Sequence, residues 1–190
     1  NRYLPVLMGK DTSNTLPQKA QWAFCQAVYP GQLFDREDPL VSGNLKMLEA
    51  TEREGMVYGT GWNSTGLWNY FASFYGHAWL WQGNGQKAAE TLYAFANHAS
   101  PLLAWREEQS LKGEPFRKVG DMPHNWASAE FIRLTVHLLA LDRGNELHLF
   151  EGLPAEWTRP GMITSLNEIA TPFGPLTVKL TISKKGDRAS

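Results

Sequence analysis

Two neighbouring glutamates, in the run Trp-Arg-Glu-Glu-Gln at residues 105–109, are the side chains of this sequence best suited to chemistry. A carboxylate beside an arginine stays ionised, which suits a general base acting on water. Glycosidic bond cleavage needs such a carboxylate on one side of the bond and an acid on the other. Adjacent glutamates point in different directions, so at most one of Glu107 and Glu108 can serve. Trp105 offers an aromatic face for a pyranose ring, and Arg106 a donor for its hydroxyls. A solvated charged loop accounts for the same five residues, because most charged side chains are exposed.

Two further clusters mix aromatic and polar groups. Residues 120–130 read Gly-Asp-Met-Pro-His-Asn-Trp-Ala-Ser-Ala-Glu. Asn125 can cap a helix starting here through its side-chain oxygen. That places His124, Asn125 and Trp126 at a helix N-terminus, with Glu130 about a turn inside, where the helix dipole favours an acid. Capping and packing alone explain these residues equally simply. Residues 58–64 read Tyr-Gly-Thr-Gly-Trp-Asn-Ser, a glycine-rich loop with Trp62 as a stacking platform and Asn63 as a hydroxyl ligand. An ordinary loop before a helix is the plain alternative. His77 and His98 read as ordinary histidines. No His, Cys and Asp spacing suggests a metal site, and neither a phosphate-cradling glycine motif nor a Gly-x-Ser-x-Gly elbow is present. The sequence therefore calls for no metal and no cofactor.

Composition narrows the partners. Apolar residues make up 43% of the 190, enough for a core. The net charge of -1 and the lack of a basic run argue against nucleic acid or an anionic membrane as the main partner. No apolar stretch reaches the ~20 residues that span a bilayer. The chain holds eight tryptophans, six of them from Trp62 to Trp126. Packing explains a single indole, but a local excess beside polar loops points to sugar binding. Cys25 has no partner for an internal disulfide and reads as a core residue. Both ends read as cuts in a longer protein.

These clusters must be positioned by helices. Helical periods and stop signals predict helices over residues 15–29, 44–54, 64–82, 86–98 and 126–141. Pro30-Gly31, Gly55, Gly83 and Gly144 stand where such helices end. The third is apolar nearly all round, which demands burial on most sides. Residues 100–125 form a long charged connection. Alternation begins near residue 145, at Glu146–Phe150 and again at Leu176–Ile182, where Leu176, Val178, Leu180 and Ile182 share a face. The expectation is a mainly α protein with a helical catalytic domain over residues 1–145 and the start of a β-domain over 146–190. In a double-layered helical array, loops entering the inner helices share one rim, where a pocket forms.

At these residues the sequence resembles the (α/α)6-barrel glycoside hydrolases, the group of glucoamylases, glycogen-debranching glucosidases and α-L-rhamnosidases. Glu108-Gln109, followed by a loop and Trp126-Ala127-Ser128-Ala129, is similar to the glucoamylase pattern. Trp105-x-Glu107 is similar to a Trp-Glu element of rhamnosidases instead, so the register between Glu107 and Glu108 stays open. Leu153-Pro154-x-x-Trp157 and residues 171–178 resemble the entry into the C-terminal β-sandwich of rhamnosidase-like and fucosidase-like enzymes.

The resemblance implies the C-terminal part of an (α/α)6 toroid with a short β-sandwich segment, from an inverting enzyme. Glu108 or Glu107 would be the base, with the acid outside this chain. Trp62, Trp105 and Trp126 would form subsite walls, and Asn63, Arg106, His124 and Asn125 would bind hydroxyls. The implied partners are an oligo- or polysaccharide and the remainder of the same toroid. The substrate class points to a periplasmic or secreted enzyme. Two other readings compete: a non-catalytic sugar-binding or scaffold protein on the same helical fold, and a polysaccharide lyase using Tyr58 and His124.

Overall fold

A helix that is apolar nearly all round must be covered on most sides, and this chain folds around one. The computed structural model describes residues 3, 4, 15–115 and 118–190. Its helices are α1 (Trp22–Val28), α2 (Pro39–Glu49), α3 (Phe71–Trp81), α4 (Gly85–Asn97) and α5 (Asn125–Leu139). All eleven residues of α3 are buried. α1, α2, α4 and α5 each pack against it. Phe24, Cys25 and Val28 of α1, Leu45 and Leu48 of α2, and Leu92 and Phe95 of α4 join Phe71, Phe74 and Tyr75 in the main core. At Gly76 a Cβ would stand 2.9 Å from a Leu134 methyl, so α5 crosses α3 where the latter has no side chain.

Local signals set the helix ends. Asp38 accepts from the Leu40 amide at 2.7 Å, and Pro39 supplies the first helical residue of α2. Asn84 accepts from the Lys87 amide at 3.1 Å and caps α4. The Arg143 guanidinium donates to the Trp81 and Leu80 carbonyls at 2.7 and 2.6 Å. It thereby satisfies the last turn of α3, where the helix dipole also favours a cation.

The strands are short and antiparallel. β1 (Glu52–Arg53) and β2 (Met56–Val57) form a hairpin through Glu54 and Gly55, with φ of 53° and 76°. β3 (Leu67–Trp68), β4 (Glu108–Gln109) and β5 (Lys118–Val119) form a three-stranded sheet in that order. β6 (Ala140–Arg143) pairs with β7 (Glu146–Leu149), and β8 (Ile163–Thr171) with β9 (Gly174–Thr181). Residue 145 lies in the turn between β6 and β7. A second, smaller core gathers Leu139, Ala140 and Leu166 with Leu147, Trp157, Ile169, Leu176 and Val178.

Among the described residues the architecture is therefore mixed α/β, with five α-helices and four small antiparallel sheets, and the mainly α toroid expectation is corrected. Residues 52–53, 56–57 and 67–68 lie in short strands, and α5 gives way to β6 at Ala140. α1 starts only at Trp22, after turns that include Ala20 at a left-handed φ of 56°. The remaining helices cluster around α3 rather than forming an arc of paired inner and outer helices. The C-terminal part consists of hairpins, and no β-sandwich forms among the described residues. Among those residues no helix is long and apolar enough to cross a membrane.

Candidate functional site

The sheet of β3, β4 and β5 brings distant residues of the charged connection to the loop before α3. Trp68 pairs with Glu108 across it, and Leu67 with Gln109. Strand alternation sends neighbouring side chains to opposite faces, so Glu107 and Glu108 part company here. Glu108 is fully buried. One of its oxygens accepts from the Trp62 amide and the other from the Asn63 amide, both at 2.6 Å. Gly61 lies flat on this carboxylate, and a Cβ there would stand 2.4 Å from the oxygen. Burial pushes the Glu108 carboxyl above the usual range, against the pull of the Asn63 and Trp62 amides; Glu107 adds to the rise and Lys19 opposes it. Glu108 thus works as the peg on which the Trp62 loop hangs.

Glu107 faces a cavity of about 370 Å³. Trp22, Trp62, Trp68, Tyr70, Phe74 and Trp126 supply its aromatic walls, and Lys19, Ala20, Thr60 and Gly61 complete it. Trp62 is 80% exposed and Trp126 52%, unusually high for indoles. Trp126 stacks on Tyr70, with centroids 4.7 Å apart and planes 24° from parallel. The Tyr70 hydroxyl donates to Glu107 over a long 3.4 Å. Burial, partly offset by the Trp68 indole and reinforced by Glu107, pushes the Tyr70 phenol up to about 12. Glu107 reaches this position because Gly120, at a left-handed φ of 72°, has no Cβ to collide with its carboxylate.

The loop that carries Trp62 is tied from several sides. Lys19 donates to the Gly61 carbonyl and, at 3.5 Å, to that of Trp62. The Thr60 hydroxyl donates to the Gln18 carbonyl at 2.9 Å. The Asn63 side-chain oxygen accepts from both the amide and the hydroxyl of Thr65 at 3.1 Å. Its amide nitrogen is buried beneath Gly66. Asn63 therefore shapes the loop.

The remaining residues singled out from sequence fall elsewhere. Trp105 is buried between Phe95 and Phe131 and donates its N–H to the Phe95 carbonyl at 2.8 Å, so it is a core residue. Arg106 lies outside the cleft lining, and its carbonyl accepts from Asn69 at 2.6 Å. His124 stacks on Tyr70, with ring centroids 5.1 Å apart, and meets Asp121 at 2.5 Å. That contact holds the Asp121 carboxyl below its usual range. Ligand-type atoms of Glu107, Asp121 and His124 lie within 4.8 Å of one another. Asn125 is exposed and is the first residue of α5; the cap position is His124, with no side-chain cap bond. Tyr58 does not line the cleft.

A buried polar chain runs inward from the cleft wall. The Trp126 N–H donates to Glu130 at 3.3 Å, and Ser73 donates to the other Glu130 oxygen at 2.6 Å. Arg133 donates to both oxygens at 3.1 and 3.2 Å. His77 holds the Ser73 carbonyl through Nδ1 at 2.7 Å and meets His137 Nδ1 through Nε2 at 2.9 Å. With Nδ1 of His77 as the donor, His137 must donate in turn, and both rings are neutral. Burial lowers His77 well below its usual value and His137 to about 4. Ser73 gives its proton to Glu130 rather than to His77, so this is no activated nucleophile. Sequence reasoning missed Lys19, Trp68 and Tyr70 in the cleft and Ser73 behind it, and it reads His77 as an ordinary histidine and Glu130 as a first-turn acid without joining them. The spacing of Ser73 and His77 on one helix was the available signal, but Glu130 lies 57 positions from Ser73.

No protein-family model, curated protein or solved structure matches this chain. The resemblance to the (α/α)6 glycoside hydrolases thus rests on short motifs alone, and the mixed α/β fold speaks against it. It is withdrawn, and with it the expectation of a toroid remainder as partner.

Proposed function

We propose that the cleft binds a sugar ring against the Trp62 and Trp126 indoles, and that Glu107 acts there as a general base on water in glycosidic bond cleavage. The observation that carries this reading is the meeting of two exposed indoles, Tyr70 and Glu107 in one cavity of about 370 Å³. That volume lies at the lower end of the roughly 300–1,000 Å³ typical of small-molecule sites. Indole faces suit the C–H faces of a pyranose, and a half-buried carboxylate suits its hydroxyls or an attacking water. In the reaction, water gives a proton to Glu107 while its oxygen bonds to the anomeric carbon. The glycosidic C–O bond breaks, and the leaving oxygen takes a proton from an acid. Among the described residues Glu107 is the one carboxylate lining the cleft, so that acid is not part of it. The same single carboxylate supports a second reading, sugar binding without cleavage.

Dinitrophenyl glycosides separate the two, because their leaving group departs without an acid. Turnover that falls at least about a hundredfold in Glu107→Gln supports the base role. Sugar affinity by calorimetry with no turnover, unchanged in Glu107→Gln, assigns binding alone. Both readings fail if no methyl glycoside or short oligosaccharide binds, or if binding is indifferent to Trp62→Ala and Trp126→Ala.

A further inference from the structure

We propose that the ligand of this cleft carries a carboxylate: its substrate class is a uronosyl glycoside, seated with the carboxylate on the Lys19 ammonium. The proposal rests on the sugar-binding reading and adds to it a chemical class.

The polar inventory of the cleft carries the argument. The Thr60 hydroxyl is spent on the Gln18 carbonyl, the Tyr70 hydroxyl on Glu107 and the Trp126 N–H on Glu130. The buried Trp68 N–H, also in the lining, has no hydrogen-bond partner among the described residues and stays open to a sugar hydroxyl, but it carries no charge. Two charged groups remain, Lys19 and Glu107, both in the lining. Lys19 donates to two carbonyls, those of Gly61 and Trp62. An ammonium has three N–H donors, so one is left over. No ion pair joins Lys19 to a carboxylate among the described residues. The nearby Glu108 feels its charge but spends both oxygens on the Trp62 and Asn63 amides. A partly buried cation beside aromatic walls, paired only with carbonyls, rewards an anionic ligand.

An amino sugar would use the charges the other way round, with its ammonium on Glu107. That pairing would occupy the carboxylate needed to take a proton from water. A uronate leaves Glu107 open and places opposite charges together.

Calorimetric titration with methyl glucuronide, methyl glucoside and methyl glucosaminide tests this on the protein as it stands. The glucuronide is expected to bind about tenfold or more tightly than the glucoside, the range of one charged hydrogen bond. The preference should shrink with added salt. Lys19→Met is expected to abolish the preference and Lys19→Arg to retain it. The ratio is the informative quantity, because Lys19 also ties the Trp62 loop, and its loss could weaken all three ligands together. Equal binding of glucuronide and glucoside overturns the proposal and leaves the sugar cleft standing. Tighter binding of the glucosaminide, or a preference that survives Lys19→Met, also overturns it. Binding of none of the three overturns the proposal together with the reading beneath it.

Discussion

Removing the Glu108 carboxylate tests whether this residue holds the Trp62 loop or performs chemistry. Two part-buried backbone amides, of Trp62 and Asn63, each rely on it at 2.6 Å. A fully buried donor left without an acceptor costs about 1–3 kcal/mol, and water can reach these two in part, so Glu108→Ala is expected to destabilise the protein by about 1–3 kcal/mol. Glu108→Gln keeps one acceptor oxygen but sets an NH2 group against the second amide, for roughly half that cost. The pH dependence has a definite sign. The folded-state value is raised, so between the ordinary carboxyl value of 4.5 and that higher value the folded protein holds a proton that the unfolded chain has released. Stability from this group therefore falls as pH rises through that window, and Glu108→Gln should lack the fall. Urea denaturation followed by tryptophan fluorescence across this range measures both effects. Glu108→Ala within about 0.5 kcal/mol of the parent would refute the loop-holding argument. So would a fully stable Glu108→Gln variant that has lost turnover on dinitrophenyl glycosides, since Glu108 would then be the base.

Three further outcomes are expected. His137 is held neutral by burial, with its value lowered from 6.5 to about 4. Between those values the unfolded chain binds the extra proton, so stability drops as pH falls from 6.5 towards 4, by up to about 3.5 kcal/mol at 1.4 kcal/mol per unit. Denaturation of His137→Gln against pH should show a shallower drop. Trp105→Ala opens a hole between Phe95 and Phe131 and should cost about 3–5 kcal/mol, while Trp62→Ala, 80% exposed, should cost sugar affinity and little stability by thermal melting. Gly120→Ala meets the Glu107 carboxylate directly at a left-handed φ of 72°. It should displace that side chain and lower turnover or affinity at the cleft, with a loss of stability of about 1–3 kcal/mol.

Which of these residues could be read from the sequence depended on the range of the interaction that places them. α4 was legible almost to its ends, because Ala89, Leu92 and Ala96 repeat at helical spacing and glycines precede it. β9 was legible from its alternation. β1, β2, β3 and β4 are two residues long, too short for any period to show; β1 and β2 close on each other in a tight hairpin, while β3 and β4 exist because each completes the other's hydrogen bonds from far along the chain. These invisible strands decide the site. The pairing of Trp68 with Glu108 puts one glutamate beneath the Trp62 loop and leaves its neighbour facing the aromatic walls. Loop positions suggest a shared rim for Trp62, Trp105, Trp126 and a carboxylate; Trp62, Trp126 and Glu107 line one cavity, and Trp105 does not. Which of two adjacent glutamates faces the cleft was not legible, because that choice is a matter of strand register, and a shift of one residue would exchange their roles. Trp105 shows the same limit from the other side. An indole next to charged residues suggests a platform, yet its N–H meets the Phe95 carbonyl in the core, and only the chain's return past α4 makes that contact possible.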